Sequence, residues 1–256
     1  ILSRASEWEG YISLPQGINP NQYYVKEISA GAAGDEFTYK DGDNEYNLTQ
    51  GYATYYTKDT TTVNNAADPT ELDGFVLTDT HVYQVKTTKN SDSSYTITNL
   101  RVGKVDITLT KVWVDGDNEL KARPDSINAT LKRNGSIFSS IVLDNGNSWT
   151  RTVENLDKYD ENGKLYVYDA TEDYTPAVGT DYSESKSRVY TRPAKHRTGD
   201  QIEITFTNTL SGSIVPKMTK LWLDGNPPRR PDLYLEVWAR HEEPDVQGKS
   251  AQTKVV

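Results

Sequence analysis

Polar and apolar residues alternate with a period of two along most of the chain, whereas the 3.6-residue period of an amphipathic helix is hard to find. The alternation is clearest in the middle of the sequence, where turn-forming runs such as DGDN at 115–118 and NGN at 145–147 separate the segments. The predicted strands there are 105–114, 127–131, 141–143, 149–153, 165–172, 189–191 and 202–210. This number of short strands in about one hundred residues is typical of an all-β sandwich with immunoglobulin-like architecture.

An internal repeat divides the chain into one whole unit and two partial ones. The run TKVWVDG from Thr110 recurs as TKLWLDG from Thr219, and an Arg-Pro-Asp follows each copy, at 123–125 and 230–232. Near the N-terminus, a predicted strand at 23–27 and another at 95–100 resemble 168–172 and 204–210 of the middle unit. We therefore predict tandem sandwich domains, with one complete domain at 105–210.

The two partial units are complementary. Residues 211–256 correspond to the N-terminal part of such a domain, and residues 1–104 correspond to the C-terminal part, enlarged by an insertion at about 30–73. The insertion is rich in Tyr, Thr and Asp. It predicts either an extra surface hairpin or a binding loop carried on a rigid sandwich.

The amino-acid composition excludes several classes of function. The 256 residues contain no cysteine, which excludes disulfides, thiolate metal sites and cysteine nucleophiles within this sequence. Twenty-eight Lys and Arg against 37 Asp and Glu leave a net charge of −9, so nucleic acid and anionic membrane surfaces are unfavourable partners. The 3 histidines are widely spaced, and we expect no metal site and no cofactor.

Three polar residues of the middle unit fall on the apolar faces of predicted strands: Lys111, Glu172 and Asn208. Lys and Glu are almost never fully buried without partners, so the three side chains are expected to meet. Burial lowers the pKa of a lysine and raises that of a glutamate, which favours a neutral amine beside a neutral acid. The amine could then attack the Asn carbonyl and release ammonia, leaving a Lys–Asn amide bond. The alternative is a buried ion pair and a hydrogen-bonded amide without chemistry.

These segments together resemble the collagen-adhesin B-type (CnaB) domain of Gram-positive surface proteins and pilins. The resemblance is carried by TKVW at 110–113, RPDS at 123–126, VENLDKYD at 153–160, Tyr168 to Glu172 and TNT at 207–209. It implies an autocatalytic isopeptide bond, with Lys111 as nucleophile, Asn208 as acceptor and Glu172 as the promoting acid. By position, the partial units carry the same roles on Lys220, Asn99 and Glu27.

The leading functional hypothesis is a structural stalk or pilus-shaft segment of an extracellular, cell-wall-attached fibre, in which only single-turnover bond formation occurs and no turnover enzyme is expected. Its partners would be neighbouring copies or domains of the same fibre. The partial units are compatible with three arrangements. The sequence could be a segment of a longer repeat array, copies could assemble head-to-tail, or the two partial units could close within one chain. The alternative hypothesis is a ligand-binding adhesin that contacts host extracellular matrix through 30–73.

Overall fold

The chain falls into two compact units, Ile1–Gly212 and Ser213–Val256. The computed structural model describes residues 1–19, 23–63, 73–78, 81–118, 121–175, 181–192, 199–211, 218–223, 225, 229–236, 238–244 and 250–254. Regular structure in these residues is almost entirely strand, with short 3₁₀ turns at Arg4–Ser6 and Asn145–Asn147. Within the same ranges, no helix is long and apolar enough to cross a membrane.

Fifteen strands are described. They are β1 Glu36–Asp41, β2 Asn44–Thr49, β3 Ala53–Tyr56, β4 Asp73–Leu77, β5 Val82–Lys89, β6 Tyr95–Val102, β7 Lys104–Val114, β8 Ser126–Arg133, β9 Ser136–Asp144, β10 Thr150–Asp157, β11 Tyr168–Asp173, β12 Asp181–Thr191, β13 Asp200–Ser211, β14 Trp238–Pro244 and β15 Ser250–Lys254.

The middle of the first unit is a two-sheet sandwich. One sheet has the strand order β10-β7-β13-β12 and the other has the order β11-β8-β9. All seven strands predicted for this region are present. The strand expected at 189–191 is the end of the longer β12, and the one expected at 165–172 begins only at Tyr168. All neighbours pair antiparallel except β7 and β13, the first and last strands, which lie side by side and parallel.

The sandwich core forms because alternate residues of both sheets point inward. On β7 the inward positions are buried and the intervening ones are more exposed, which is the burial pattern of a strand with one face on a core. The fully buried core consists of Val105, Ile107, Leu109, Ile127, Ala129, Leu131, Leu143, Tyr168, Ala170, Ile202, Ile204 and Phe206.

Residues preceding the sandwich form a second, smaller core. The strands β3-β4-β5-β6 make an antiparallel sheet, and β1 and β2 make a separate hairpin. Their shared cluster is largely aromatic and comprises Phe37, Tyr39, Tyr46, Leu48, Tyr56, Phe75, Leu77 and Val82. Within the predicted insertion at 30–73, residues Glu36–Thr49 form the β1–β2 hairpin.

The strand predicted at 23–27 is wrong. Residues 23–28 lie in no strand, and Ser29 makes only an isolated bridge with Tyr52. The corresponding strand of the sandwich, β11, pairs with β8, and by the repeat the counterpart of β8 belongs to the second unit. An extended segment without a neighbouring strand has no ladder to satisfy its backbone groups, so alternation alone does not make it a strand.

Lys104 connects the two parts of the first unit. Its ammonium lies 2.7 Å from Asp41 Oδ1 on the β1–β2 hairpin and 2.8 Å from Asp157 Oδ1 on β10. These two hydrogen bonds outweigh burial and raise the pKa of Lys104. The predicted boundary between 104 and 105 falls at this contact.

The second unit contains the β14–β15 hairpin. Residues 218–223, which repeat the beginning of the sandwich sequence, lie in no strand here. Several of its apolar side chains are exposed, including Met218, Leu221, Leu223 and Tyr234.

Leu109→Ala should lower the free energy of unfolding of the sandwich by about 2–5 kcal/mol, because Leu109 is fully buried and its truncation leaves a cavity. Val114→Ala is the matched control on the same strand, since Val114 is half exposed, and it should change stability by less than about 0.5 kcal/mol. Urea unfolding followed by the fluorescence of Trp113 and Trp149 measures both. Equal losses in the two variants would contradict the packing described here.

Candidate functional site

Lys111, Asn208 and Glu172 meet inside the sandwich. Lys111 lies on β7 and Asn208 on the neighbouring parallel strand β13, in a register that sets Phe206 opposite Lys111 and Trp113 opposite Asn208. Both side chains therefore point into the core, two residues apart along the pair. Glu172 reaches them from β11 in the opposite sheet.

One carboxylate oxygen contacts both nitrogens. The Lys111 Nζ lies 3.1 Å from Glu172 Oε1 and donates to Oε2 at 3.3 Å, while Asn208 Nδ2 donates to the same Oε1 at 3.1 Å. The side chains of Lys111 and Glu172 are 0% and 6% exposed, and Asn208 is 0% exposed. The acid thus lies between the amine and the amide, in a site that is closed to solvent.

Burial shifts both titratable groups of this triad toward their neutral forms. It lowers the pKa of Lys111, although the charge of Glu172 opposes the shift. It also raises the pKa of Glu172, although Lys111 opposes that shift. The physical cause is the same for both, because a low-dielectric interior disfavours a charge of either sign.

The pKa of Lys158, a second buried lysine in the same sandwich, shifts in the opposite direction. Burial acts to lower the pKa of Lys158, but hydrogen bonds with Asp200 and Tyr190 outweigh it and raise the pKa. Lys158 donates to Asp200 Oδ2, and Tyr190 also donates to that oxygen. A cavity of about 340 Å³ adjoins this ion pair, between the β1–β2 hairpin and the sandwich. Burial alone therefore does not make a lysine neutral in this domain.

The ring of Trp113, itself part of an aromatic cluster, covers the amine of the triad, a contact that was not predicted from the sequence. The Lys111 Nζ lies 4.2 Å from the centroid of the Trp113 ring. Trp113 in turn makes edge contacts with Trp149, Tyr174 and Tyr182 at centroid distances of 5.4, 5.5 and 5.4 Å. The sequence feature that indicates this contact is the position of Trp113, which lies two residues after Lys111 and hence on the same face of the strand.

Asp115 anchors the loop that follows β7. Its carboxylate accepts from the Arg123 guanidinium and from the Tyr182 hydroxyl, the latter at 3.2 Å. Arg123 belongs to the Arg-Pro-Asp that recurs in the second unit, so this ion pair explains one part of the repeat. Since Tyr182 also packs against Trp113, the pair positions the aromatic cover of the triad.

Three buried polar atoms near the triad have no hydrogen-bond partner among the described residues. They are Asn208 Oδ1, Trp113 Nε1 and the Tyr174 hydroxyl. Leaving such an atom unsatisfied costs about 1–3 kcal/mol. The Asn208 carbonyl oxygen, the atom that would develop negative charge under attack by an amine, is thus not engaged elsewhere.

The second predicted triad is only partly brought together. Glu27 accepts a hydrogen bond from the Asn99 side chain, while burial raises the pKa of Glu27. Asn99 on β6 is exposed, in contrast to Asn208. Lys220 belongs to the second unit, where it is exposed and its Nζ lies 5.0 Å from the centroid of the Trp222 ring. No cluster of three or more potential metal ligands occurs among the residues that the structure describes.

Asp115→Asn should lower the pKa of Tyr182 from about 12 toward the ordinary value of 10.0, because burial and then the charge and hydrogen bond of Asp115 raise it. Phenolate absorbance during an alkaline titration gives the measurement, and Tyr182→Phe identifies the step that belongs to this tyrosine. Asp117→Asn in the same loop is the control and should leave the step in place. A Tyr182 step that does not move in Asp115→Asn would refute this assignment.

Comparison with known proteins agrees with this geometry. Residues 107–208 match the family described as the Cna protein B-type domain. The curated protein "Collagen adhesin" of Staphylococcus aureus is 35% identical over 71 residues, which is 28% of this chain, and the match covers 6% of that protein's length.

Comparison with solved structures matches parts of surface proteins and pilins. A single B repeat unit (B1) of the collagen binding surface protein Cna of Staphylococcus aureus matches with a TM-score of 0.31 and 20% identity, over 64% of this chain and 80% of that chain. The full-length major pilin RrgB of Streptococcus pneumoniae matches with a TM-score of 0.23 and 18% identity, over 50% of this chain and 20% of that chain. Residues 107–208, which contain Lys111, Glu172 and Asn208, are thus similar to the Cna protein B-type domain family.

Proposed function

We propose that this chain is a segment of an extracellular structural fibre, a stalk or pilus shaft, whose middle domain is locked by an amide bond between Lys111 and Asn208. The observation that carries the proposal is the shared contact of the lysine amine and the asparagine amide with one oxygen of Glu172, next to the apolar core of the sandwich. The likeness to a protein named collagen adhesin supports a location on a Gram-positive cell surface.

Glu172 has two tasks in this reaction. As a carboxylate it takes a proton from the Lys111 ammonium, which gives a neutral amine and a neutral acid. As an acid it donates to the Asn208 carbonyl oxygen. Half a turn of the Asn208 amide exchanges Nδ2 for Oδ1 beside Glu172, and Oδ1 has no other partner among the described residues.

The bond changes balance without a further reactant. Lys111 Nζ attacks the Asn208 side-chain carbon, the new C–N bond forms, and the bond to Nδ2 breaks. Protons that leave Nζ pass through Glu172 to Nδ2, which departs as ammonia. Proximity and orientation provide the main acceleration, which reaches about 7–11 kcal/mol for well-aligned groups.

The alternative is that the triad is only an ion pair and a hydrogen-bonded amide. The pKa shifts of the two buried lysines favour the reaction instead. Lys158 shows how this domain stabilises a permanently charged buried lysine, with hydrogen bonds that raise its pKa. The pKa of Lys111 moves the other way, because its contact with Glu172, at 3.1 Å, is longer than the Lys158–Asp200 contact and burial outweighs it. A site that pushes an ion pair toward neutrality is suited to reaction between its members.

The position of the bond suits a fibre under tension. β7 and β13 are the first and last strands of the domain, and they are parallel neighbours. The chain therefore enters the sandwich at one end and leaves it at the other. Force along the chain would shear these two strands apart, and an amide between them carries that force directly.

The adhesin alternative depends on the insertion at 30–73. Four of its aromatic side chains, Phe37, Tyr39, Tyr46 and Tyr56, are buried in the small core. Aromatic anchors of a binding surface are available to a partner. This burial favours a structural role for the hairpin, and adherence to host matrix stays a prediction for 30–73.

The mass of the intact, denatured protein tests the Lys111–Asn208 bond. The unaltered chain should lack one ammonia that mapping assigns to these two residues, and Glu172→Gln should retain it, because Gln cannot accept and return the proton. Loss of the cross-link, which closes a loop of roughly 100 residues, should lower stability by about 4–5 kcal/mol if it acts as a disulfide does.

Lys158→Ala is the matched control for that experiment, since it also removes a buried lysine from the sandwich. It should still lack the ammonia. A full-length mass for the unaltered chain, with no ammonia lost, would refute the proposed bond.

The rate of ammonia loss should be independent of pH in a central range and fall on both sides of it. In that range the pair shares one proton, and burial favours its neutral form by lowering the pKa of Lys111 and raising that of Glu172. At lower pH both groups bind protons and the amine is blocked, while at higher pH Glu172 cannot donate. Refolding of urea-unfolded, unreacted protein at a series of pH values, followed by mass, gives the profile. A rate that keeps rising with pH would contradict catalysis by Glu172.

A further inference from the structure

Side chains of β12 reach across the sandwich to the edge of β11. Each of these strands lies at the edge of its own sheet. Arg188 Nε donates to the Tyr168 carbonyl at 3.1 Å, and Lys186 Nζ donates to the Ala170 carbonyl at 3.0 Å. From one contact to the next, the position moves by two residues on each strand, in opposite directions. Alternate residues of β12 therefore follow alternate residues of β11 in a regular series.

The next position of this series sets Glu184 opposite Glu172, the acid of the triad. The position after that one pairs Tyr182 with Tyr174, and these two rings are in contact at a centroid distance of 5.9 Å. Observed contacts thus lie on both sides of the two glutamates along the series. A second carboxylate is therefore placed beside the buried acid, from the edge strand of the other sheet.

Glu184 also adjoins Asn208. The antiparallel register of β12 and β13 pairs these two residues directly. Paired residues of such a ladder have their side chains on the same face, with Cβ atoms about 4.5–5.5 Å apart. Asn208 is fully buried, whereas Glu184 is exposed. The Glu184 carboxylate therefore lies at the boundary between the triad and the solvent.

The neighbours of Glu184 on the same face of β12 are bound to other groups. Lys186 Nζ lies 2.8 Å from both carboxylate oxygens of Asp169. Tyr182 donates to the Asp115 carboxylate at 3.2 Å. Glu184 itself has no ion-pair partner among the residues that the structure describes. Its negative charge is thus not neutralised locally and acts on the groups that it faces.

Other charged and titratable groups surround Glu172 on several elements. They are Lys111 on β7, Asp115 after β7, Tyr174 after β11, and Tyr182, Glu184 and Lys186 on β12. The residues that β8 and β13 place beside Glu172, Ala129 and Asn208, carry no charge. Burial raises the pKa of Glu172 and Lys111 lowers it, while the charge of Glu184 adds to the rise. The negative charge of Glu184 thus reaches the buried acid.

We propose that Glu184 is a positioning residue for bond formation in the middle domain, where its negative charge keeps the shared proton on Glu172. This proposal rests on the proposed function. Glu184 acts through Glu172 and takes no part in the bond changes, which are those already written for the triad. Its effect is to stabilise the state in which the acid holds the proton and the amine is neutral.

The strand order explains why the charge favours the acid over the amine. Glu184 also raises the pKa of Lys111, against the larger effect of burial. Lys111 lies on β7, however, and β13 separates β7 from β12 in their sheet. Glu172 is directly opposite Glu184 in the series across the sandwich edge. Because an electrostatic attraction falls with distance, the proton is held more strongly on Glu172 than on Lys111.

The pH profile of ammonia loss in the full-length chain tests the proposal. Urea-unfolded, unreacted protein is refolded at a series of pH values and followed by mass. In Glu184→Gln the alkaline limb, on which Glu172 loses the shared proton, should move to lower pH, because a nearby negative charge no longer opposes that loss. The expected shift is about half a pH unit, or a roughly threefold lower rate at a fixed pH on that limb. Glu184→Asp keeps the charge and should restore the profile.

Glu203→Gln is the matched control, since it removes the same charge from the neighbouring strand β13. Glu203 is exposed and lies between the buried residues Ile202 and Ile204, hence on the face of β13 that points away from the core. This variant should leave the alkaline limb in place. Raising the salt to about 1 M should reduce the shift in Glu184→Gln, because salt screens an exposed charge. A shift caused by altered packing would persist in salt.

The outcomes separate this proposal from the proposed function. If the unaltered chain loses its ammonia and Glu184→Gln leaves the alkaline limb unmoved, or moves it no more than Glu203→Gln does, the role of Glu184 is overturned and the bond stands. If the unaltered chain keeps its ammonia, the proposed function fails, and carbon NMR of the Glu172 carboxyl in that unreacted chain decides the electrostatic contact. A titration midpoint that Glu184→Gln lowers supports the contact, and an unmoved midpoint overturns it.

Discussion

The structure of the middle domain depends on the burial of one lysine amine between two sheets. The Lys111 amine lies in the core layer with Glu172 opposite and Asn208 beside it. A single buried charge would be far too costly, so the sandwich must bring β7, β11 and β13 into register for the lysine to be accommodated. That requirement links the two sheets at one point and makes the parallel β7–β13 pair central to the fold.

The surroundings of the triad are consistent with this constraint. Trp113 covers the amine, Tyr174 and Tyr182 pack against Trp113, and the Asp115–Arg123 ion pair holds the loop from which β8 begins. Lys158 and Asp200 form a second buried ion pair in the same sandwich, beside the cavity that adjoins the β1–β2 hairpin. The two lysines differ because Lys158 receives enough hydrogen bonding to stay charged, whereas burial prevails at Lys111.

Much of the fold was predictable because a strand of a sandwich has apolar residues at alternate positions, on the face that packs against the core. All seven strands of the middle domain and β6 follow from alternation and turn residues. The failure at 23–27 has a physical origin, since a strand also needs a neighbour and alternation does not supply one. The aromatic cluster that includes Phe37, Tyr46 and Phe75 was not predicted, because it joins residues far apart in the chain.

By itself the sequence determined that three polar residues occupy apolar faces and that their pattern recurs across 1–104 and 211–256. Only the tertiary structure decided how Lys111, Glu172 and Asn208 meet, since this depends on the parallel register of β7 and β13 and on the packing of a second sheet. It also decided that Asn99 is exposed while Asn208 is buried. The reason is that a side chain on a strand is buried by neighbouring strands. A strand's own sequence specifies only which of its faces is apolar.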